Sequence, residues 1–398
     1  MSEIKYHDPQ KELLHQYIEY MIKSEGSDLH IKPKAKPYIR INGDIEEISD
    51  AKVYTKQDTL DLAKEMLRGD FEKFIEEKDI DFTYTVNEDI EGLEKTENDD
   101  DEFRFRVNIF FQTDGVSMVL RIIPTRIYTL DELDLPKGLR EIPKKQRGLV
   151  LVTGVTGSGK STTMAALINE INENQKKHIL TIEDPIEFIH KDKKSIISQR
   201  SIGQDAKSFA KALRAALRED PDIILIGEIR DVETVEMALH AAETGHLVFA
   251  TLHTPNSSES IKRIVGMFPP EEQSRIRFVL GKAIEAIVSQ RLIKNKKGGR
   301  LPAIELLLST PRISQLIVEN RDDEIETTLD AFKTQYHTHS FDEHLYQLYK
   351  QDIITEENAL LNASKPDNLK LKLQGIGADE DDETGNEVKS SGIKLKFK

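Results

Sequence analysis

The most constraining feature of this chain is a glycine-rich loop that lies between a short apolar run and a helical pattern. Residues 148–153 before the loop are apolar and rich in β-branched side chains, whereas 162–171 after it carry apolar residues at helical spacing. The loop and the residue that follows it comprise Gly154, Val155, Thr156, Gly157, Ser158, Gly159, Lys160, Ser161 and Thr162. A strand followed by this loop and a helix predicts an α/β fold with a ligand site at the turn.

This pattern predicts a phosphate-binding loop. Backbone N–H groups that are free at a helix N-terminus, together with the helix dipole, favour an anionic phosphate. Lys160 can reach the β- and γ-phosphates of a nucleoside triphosphate such as ATP, and the Ser161 hydroxyl can ligate Mg²⁺. The alternative is a glycine-rich turn that matches the pattern by chance, and the strand and helix on either side weigh against it.

The composition restricts the class of protein. With 398 residues the chain is long enough for about two or three domains. It contains no cysteine, which excludes disulfides and thiolate zinc sites. A net charge of −15 argues against a main role in coating nucleic acid, so no nucleic-acid partner is expected. The sequence has neither a run of ~18 apolar residues nor a signal-peptide core, and we therefore expect a cytoplasmic protein.

The first part of the chain is typical of a small α+β domain. Apolar residues recur at helical spacing over 11–23 and predict an amphipathic helix. Five strands are predicted after it, over 28–31, 37–41, 81–85, 103–111 and 116–123. The segment 88–102 is dense in acidic residues, which predicts a solvated loop inserted between the third and fourth strands.

The rest of the chain follows an α/β pattern. From residue 148 onward, apolar strands alternate with helical patterns, which predicts a parallel sheet with crossover helices. After Ser309 the pattern is helical, and the chain ends in an acidic and then basic segment that predicts a disordered tail. We therefore expect an N-terminal domain over 1–124, a linker over 125–145, a nucleotide-binding core over 146–308, a C-terminal helical region over 309–373 and the tail over 374–398.

Two further apolar strands carry carboxylates to the sheet edge at which parallel α/β proteins bind ligands. Residues 178–183 end at Glu183, and residues 221–228 resemble a Walker B strand that ends at Glu228. We expect Glu228 to hold Mg²⁺, directly or through a water, and Glu183 to orient or deprotonate the attacking water. The alternative for either carboxylate is a surface charge or a helix cap.

A third strand, within 245–254, carries a histidine at each end. His253 ends the strand at the ligand edge, where it can donate a hydrogen bond to a γ-phosphate. His246 begins the strand, where a structural role is more common. The other alternative is a zinc site formed by the pair, which no carboxylate or cysteine spacing supports.

These motifs resemble those of the secretion ATPases of type II secretion and type IV pili. Walker A lies at 154–161, an aspartate box at 181–187, Walker B at 225–231 and a histidine box at 244–254, in the order of that family, and the similarity runs from about 27 to 373. The resemblance implies a PAS-like α+β N-terminal domain and a RecA-like P-loop NTPase domain with C-terminal helices. It also implies a homohexameric ring that hydrolyses ATP as these domains shift against each other.

Two features that this chain lacks indicate which branch of the family it resembles. The assembly and secretion members usually carry a tetracysteine zinc motif after the histidine box, and this chain has no cysteine. It also starts almost directly at the PAS-like domain, without the long N-terminal segments of those members. The resemblance is therefore to the retraction branch, the PilT and PilU type. It implies a motor for pilus retraction and twitching motility, which acts at the pilus base, peripheral to the inner membrane, on the inner-membrane platform protein (PilC-like).

The same resemblance singles out three arginines of the N-terminal domain. Arg104, Arg106 and Arg121 lie in strands that look like those this branch uses to reach the nucleotide phosphates across the domain gap. A bidentate guanidinium suits phosphate oxygens, and Arg104 and Arg106 share one face of their strand. The alternative for each arginine is an exposed cross-strand charge.

Two departures from the retraction pattern leave other functions open. The motif Ala-Ile-Arg-Asn-Leu-Ile of PilT proteins appears here as Ser-Thr-Pro-Arg-Ile-Ser-Gln-Leu-Ile at 309–317, and the tail after Leu373 resembles PilU-type chains. An accessory role, with a paralogous ATPase as partner, is therefore an alternative. Alternatives from other functional classes are a nucleotide-gated regulator and a DNA-translocating RecA-like motor. The net negative charge of the chain weighs against the DNA-translocating motor.

Overall fold

The structure is a computed structural model, and it describes residues 9–24, 26–41, 44–87, 102–123 and 126–376. These residues form two compact units, one that ends at Arg126 and one that begins at Ile127. Residues 88–101 of the acidic segment that is predicted as a solvated loop lie outside the described residues. The same holds for residues 377–398 of the predicted tail. None of the described helices combines the length and the apolar character that crossing a membrane requires.

The N-terminal unit combines an antiparallel sheet with helices. Its helices are α1 (Pro9–Lys23), α2 (Lys56–Leu67) and α3 (Phe71–Glu77), with a 3-10 turn at Arg68–Asp70. Its strands are β1 (Asp28–Ile31), β2 (Tyr38–Ile41), β3 (Asp44–Glu47), β4 (Asp79–Asn87), β5 (Glu102–Gln112) and β6 (Gly115–Ile123). The strand order is β3-β2-β1-β6-β5-β4, and each neighbouring pair is antiparallel. Apolar side chains of α1, α2, α3 and the sheet form one shared core.

Most of the predicted N-terminal elements are confirmed. The predicted helix corresponds to α1, and the five predicted strands correspond to β1, β2, β4, β5 and β6. Three elements, β3, α2 and α3, are not among the predicted ones. Strand β3 is exposed along its whole length, so no alternation of apolar residues marks it. Helix α2 does carry a signal, because Thr55 and Asp58 form a capping box in which Oγ1 of Thr55 accepts from the N–H of Asp58 at 3.1 Å.

The second unit is built on a larger sheet. Its strands are β7 (Gly148–Thr153), β8 (His178–Glu183), β9 (Ile196–Ser201), β10 (Ile223–Ile226), β11 (Leu247–Leu252), β12 (Ile284–Lys294) and β13 (Arg300–Leu308). Helices α4 (Lys160–Asn174), α5 (Phe209–Ala216), α6 (Val232–Glu243), α7 (Ser257–Gly266) and α8 (Pro270–Ala283) alternate with these strands. The C-terminal helices are α9 (Pro311–Val318), α10 (Ile325–Ala331), α11 (Lys333–Tyr336), α12 (Phe341–Lys350), α13 (Glu356–Asn362) and α14 (Pro366–Leu373), and 3-10 turns lie at Lys137–Glu141 and Asp322–Glu324.

Helices cover both faces of this sheet. The strand order is β13-β12-β7-β11-β10-β8-β9. Leu149 and Leu151 of β7 enter an apolar cluster shared with α5, α6 and α7, whereas Val150 and Val152 enter one shared with α4. Because alternate residues of a strand point to opposite faces, β7 is buried on both sides, as is typical of parallel sheets.

The predicted parallel sheet is confirmed, with one correction. Strands β12, β7, β11, β10, β8 and β9 pair in parallel, but β13 pairs with β12 in antiparallel. The two strands form a hairpin at the edge of the sheet, joined by the turn around Gly298 and Gly299. The helical pattern predicted after Ser309 is confirmed by α9 to α14.

Two histidines are buried beneath the C-terminal helices. His344 lies on α12 and His339 just before it, with ring centroids 5.1 Å apart. Nδ1 of His344 accepts the backbone N–H of Ile304 at 2.9 Å, so this nitrogen carries no proton in the fold. Burial lowers the pKa of His339 to about 4 and that of His344 to about 3. Both rings are therefore neutral in the folded chain near neutral pH.

We expect the second unit to lose stability as the pH falls below about 6.5. In the unfolded chain each histidine gains a proton near that pH, whereas in the fold both stay neutral to about pH 4 or below. The unfolded state therefore binds more protons at these two positions, and each histidine lowers the free energy of unfolding by about 1.4 kcal/mol per pH unit. Burial raises the pKa of Glu305 to about 7, and this carboxyl acts in the opposite direction over the same range. Urea unfolding from about pH 7 to about pH 5 measures this slope.

The matched variant for this measurement is His344→Asn. Its side-chain oxygen can still accept from the N–H of Ile304, but it has no group that titrates in this range. We expect a shallower dependence of the unfolding free energy on pH in the variant. A slope equal to that of the natural chain would contradict the prediction.

Candidate active site

The glycine-rich loop joins β7 to α4. Strand β7 ends at Thr153 and lies between β11 and β12, so the loop starts from a fixed, fully buried strand. Gly159 precedes the helix with a φ of 88°, in the left-handed region that favours glycine. A Cβ atom at this position would also lie 2.7 Å from Nε2 of Gln290. Position 159 therefore requires glycine for two reasons, its backbone angle and its close neighbour.

The loop has an exposed part and a buried part. Gly154, Ser158 and Lys160 are buried, whereas the middle residues Val155, Thr156 and Gly157 are exposed. Ser161 and Thr162 are half-buried in the first turn of α4. The first backbone N–H groups of a helix have no partner within it, so this turn can donate to an anion. The Oγ atom of Ser158 is buried without a hydrogen-bond partner.

Lys160 lies across the loop that precedes it. Its Nζ donates to the backbone oxygens of Gly154 at 2.8 Å and Val155 at 3.1 Å. Burial lowers the pKa of Lys160, while the negative charges of Glu228 and then Glu187 act against this shift. The ammonium group therefore lies close enough to Glu228 for their charges to interact.

Three predicted site residues follow neighbouring parallel strands at the same sheet edge as the loop. Glu183 is the last residue of β8, Glu228 comes two residues after β10, and His253 directly follows β11. Strands β8, β10, β11 and β7 are adjacent in the sheet. Gly227 brings the end of β10 close to β8, because its N–H donates to the oxygen of Ile182 at 2.7 Å and a Cβ atom there would lie 3.1 Å from Cα of Glu183.

Glu228 is held between an arginine and a histidine. Its Oε2 accepts from Nη2 of Arg230 at 2.8 Å and from Nε at 2.9 Å, and its Oε1 lies 3.3 Å from Nε2 of His253. Partial burial acts to raise the pKa of Glu228, but the hydrogen bond and charge of Arg230, followed by those of His253, outweigh it and lower the pKa. Glu228 is therefore kept as a carboxylate.

Glu183 has the opposite electrostatic environment. Burial raises its pKa, against hydrogen bonds that favour the charged form. The stronger of these bonds comes from Oγ1 of Thr181, which donates to Oε1 at 2.7 Å, and Nε2 of Gln199 lies 3.4 Å from the same oxygen. An acid group with a raised pKa at a ligand edge is suited to accept a proton.

His246 lies away from these residues. It precedes β11, whose six residues separate it from His253 at the other end of the strand. Its Nδ1 lies 3.0 Å from the backbone oxygen of Ala241, at the end of α6. The structure therefore brings His253 to the sheet edge that holds the loop and leaves His246 at the opposite edge.

The three predicted arginines lie in the N-terminal unit. Arg106 of β5 stands directly opposite Arg121 of β6, and Arg104 lies two residues before Arg106 on the same face. Nε of Arg121 donates to Oδ1 of the buried Asp28 at 2.7 Å. Nε of Arg106 lies 3.8 Å from Oδ1 of Asp81. These three arginines thus lie together on one face of the sheet.

Two polar residues of this region, Arg230 and Gln290, are not among the predicted site residues. Arg230 holds Glu228, and its Nη1 also lies 3.7 Å from Oδ2 of Asp184 in the aspartate box. Gln290 of β12 contacts Ser158 of the phosphate loop and Thr163 of α4. The available signal for Gln290 is the polar segment Ser289-Gln290-Arg291 between the apolar residues 286–288 and 292–293, because a polar side chain within a buried strand needs a specific partner.

The side chains present fit Mg²⁺ held jointly with a nucleotide. Mg²⁺ prefers oxygen ligands and usually takes one or two from the protein, with phosphates and waters completing its shell. Ser161 supplies a hydroxyl at the start of α4, and Glu228 is a carboxylate at the same sheet edge. Among the described residues, no group of three or more histidine, aspartate or glutamate side chains is arranged to hold a metal alone.

Comparison with known proteins assigns the chain to a family. A family model described as "Type II/IV secretion system protein" matches residues 3–358. The chain belongs to this family. The Pseudomonas aeruginosa "Type IV pilus retractation ATPase PilT" is 42% identical over 355 residues, which cover 88% of this chain and 98% of that protein. The "Type IV pilus ATPase PilU" of the same organism is 38% identical over 365 residues, which cover 91% of each.

Two solved structures match a similar length of the chain. The crystal structure of the pilus retraction motor PilT with bound ADP has a TM-score of 0.80 and 42% identity, and the match covers 89% of this chain and 98% of that one. The Legionella pneumophila ATPase DotB has a TM-score of 0.73 and 28% identity, with coverage of 90% and 97%.

These comparisons confirm several predictions. The family is confirmed by the match to the family model, and the fold class is confirmed by the PilT structure, with an N-terminal domain followed by a RecA-like ATPase domain. The prediction of an ATP hydrolase is confirmed because the relatives are named as ATPases. Both PilT and PilU match along most of their length, so the similarity extends to both relatives.

Proposed function

We propose that this secretion ATPase hydrolyses ATP to power retraction of a type IV pilus, and thereby twitching motility. The observation that carries the proposal is the 42% identity to PilT along 88% of the chain. The geometry supports the chemistry, since Glu228 lies 3.3 Å from His253 and interacts electrostatically with Lys160 of the phosphate loop. A Walker A lysine, a Walker B carboxylate and a histidine at one sheet edge suit hydrolysis of a phosphoanhydride.

In this proposal each site residue has a distinct role. The backbone of residues 154–162 binds the phosphates of ATP, and Lys160 offsets their negative charge. Ser161 and Glu228 would hold Mg²⁺, which when bound neutralises charge that develops on the phosphates. Glu183 orients the attacking water and accepts its proton, for which its raised pKa suits it. His253 donates a hydrogen bond to the γ-phosphate.

The mechanical part of the proposal uses the N-terminal unit. Arg104, Arg106 and Arg121 close on the nucleotide phosphates, as bidentate guanidinium groups suit phosphate oxygens. Closure around the γ-phosphate and release after hydrolysis convert the reaction into rigid-body motion of the two units. We propose that the chain works as a homohexamer at the cytoplasmic side of the pilus base, where this motion acts on the inner-membrane platform protein.

A second candidate function is that of an accessory ATPase that assists a paralogous retraction motor. The observation that favours it is the 38% identity to PilU across 91% of both chains. The departure from the retraction motif at 309–317 supports the same alternative. Both functions need the same ATP site, so they differ in the phenotype of a strain and not in the chemistry.

The ATP site is tested with Lys160→Ala and Glu228→Gln. We expect each change to lower the turnover of ATP by about 100-fold or more, because each removes a charge that the reaction needs. Chelation of Mg²⁺ should stop turnover in the natural chain, and DNA should not stimulate it. Lys262→Ala is a control, because Lys262 is exposed on α7 and pairs with Glu259 of the same helix and with Asp323 of a 3-10 turn, none of which is a predicted site residue. Near-natural turnover in either site variant would refute the assignment.

The role of Glu183 is tested with Thr181→Val. The change removes the hydroxyl that favours the charged form of Glu183, so the pKa of Glu183 rises further. Because the proposal requires Glu183 to be ionised, we expect the acid limb of the kcat/KM profile to move to higher pH. Thr181→Ser keeps a hydroxyl and should leave the limb near its natural position. A limb that stays in place in the valine variant argues against Glu183 as the proton acceptor.

The cellular function is tested by deletion of the gene in its natural host. Retraction predicts excess surface pili together with loss of twitching, since assembly continues without withdrawal. An accessory role predicts partial loss of motility that extra copies of the paralogous ATPase restore. Complementation with Glu183→Gln separates a motor from a nucleotide-gated regulator, because a regulator needs binding but not turnover. Normal pili and normal twitching in the deletion strain would contradict both functions.

A further inference from the structure

We propose that Gln290 is a positioning residue for the phosphate loop, and this inference rests on the proposed ATP site. Gln290 lies on β12, the parallel neighbour of β7, and is 2% exposed. Its Nε2 donates to the backbone oxygen of Ser158 at 2.7 Å, and its Oε1 accepts from Oγ1 of Thr163 at 2.7 Å. One side-chain amide thus joins the loop to the helix that follows it.

The loop is shaped around this glutamine. A Cβ atom at Gly154 would lie 2.4 Å from the backbone oxygen of Gln290, and one at Gly159 would lie 2.7 Å from its Nε2. The adjacent Ser289 accepts at Oγ from Oγ1 of Thr153 at 2.9 Å. Strand β12 therefore contacts the residue before the loop, both of these loop glycines, and the first turn of α4.

The bond to Ser158 determines where the next backbone donor points. A peptide unit is planar and trans, so its C=O and N–H groups point in opposite directions. Because Gln290 holds the oxygen of Ser158 toward β12, the N–H of Gly159 is turned to the side away from β12. An N–H group fixed in this way is a ready donor for a phosphate, without reorganisation when the ligand binds.

The amide is the chemical group that these contacts require. Position 290 needs a donor toward Ser158 and an acceptor toward Thr163 at once, and both neighbours are buried. A carboxylate supplies only the acceptor, and a hydrocarbon supplies neither. Without the donor, the carbonyl of Ser158 is left buried and unsatisfied, or the peptide rotates and carries the N–H of Gly159 with it.

The test measures nucleotide affinity and protein stability separately. Gln290→Met removes both hydrogen bonds at similar volume, and Thr163→Val removes the second bond alone without touching Gln290. We expect Gln290→Met to weaken ADP binding and to raise the KM for ATP by about tenfold, with kcat within about twofold of the natural value. We expect a smaller shift of the same kind for Thr163→Val. Titration with a fluorescent ADP analogue and thermal melting without nucleotide provide the two readouts.

A matched control comes from the far end of the same helix. Asn172 of α4 is also a buried amide, and it donates to the oxygen of Lys191 at 2.8 Å and accepts from the N–H of Lys193 at 3.1 Å. Asn172→Leu should lower the melting temperature while ADP binding stays unchanged. If the control loses stability but not ADP affinity, the weaker ADP binding of Gln290→Met comes from the position of the loop and not from lower overall stability.

The outcomes are distinct. Natural ADP affinity in folded Gln290→Met overturns the inference, as does an equal loss of affinity in Asn172→Leu. If Gln290→Met does not fold, the ADP affinity of Thr163→Val decides. An affinity equal to that of the natural chain in this variant overturns the inference. Failure of the natural chain to bind ADP or hydrolyse ATP would instead refute the proposed function.

Discussion

The parallel register of four strands is the constraint on which the candidate site depends. Strands β8, β10, β11 and β7 lie side by side and run in one direction, so their C-terminal ends meet at one edge. Each end carries one part of the site: Glu183, Glu228, His253 and the loop before Lys160. Because both faces of β7 are buried, a shift of one strand would move core side chains as well as site residues. The core therefore holds the geometry of the site.

The two carboxylates of this edge differ in charge because their neighbours differ. Arg230 and His253 surround Glu228 and keep its pKa low, whereas burial raises the pKa of Glu183. Neighbouring acids whose environments move their pKa values in opposite directions are suited to different roles in one reaction. A permanent carboxylate fits a metal ligand, and an acid with a raised pKa fits a proton acceptor. The sequence predicts different roles for the two residues from the Walker B pattern that ends at Glu228, and their contacts in the fold supply a physical reason for the difference.

The sequence predicts the elements that apolar runs and glycines mark directly, and it does not predict contacts between residues that lie far apart in the chain. The strand, loop and helix around Lys160 are predictable because apolar runs and glycines mark them directly, and the same holds for the strand that ends at Glu183. The hairpin β12–β13 is not predicted, and with it Gln290, whose partner Ser158 lies far away in the chain. Arg230 shows the same limit, since its contact with Asp184 joins two motifs that only the fold brings together.

The N-terminal unit places two arginines opposite each other, although their positive charges repel. Like charges directly opposite each other on a sheet are destabilising, and Arg106 and Arg121 form such a pair. Asp28 offsets part of this cost: its carboxylate is almost fully buried and engages Nε of Arg121, a side chain that is itself 67% exposed. A buried carboxylate below an exposed guanidinium fixes the base of the side chain and leaves its outer end accessible to solvent. Asp81 offsets a further part of the same cost, because its Oδ1 lies 3.8 Å from Nε of Arg106. Each member of the arginine pair thus has an acidic neighbour within its own unit, which lets the sheet keep two like charges opposite each other.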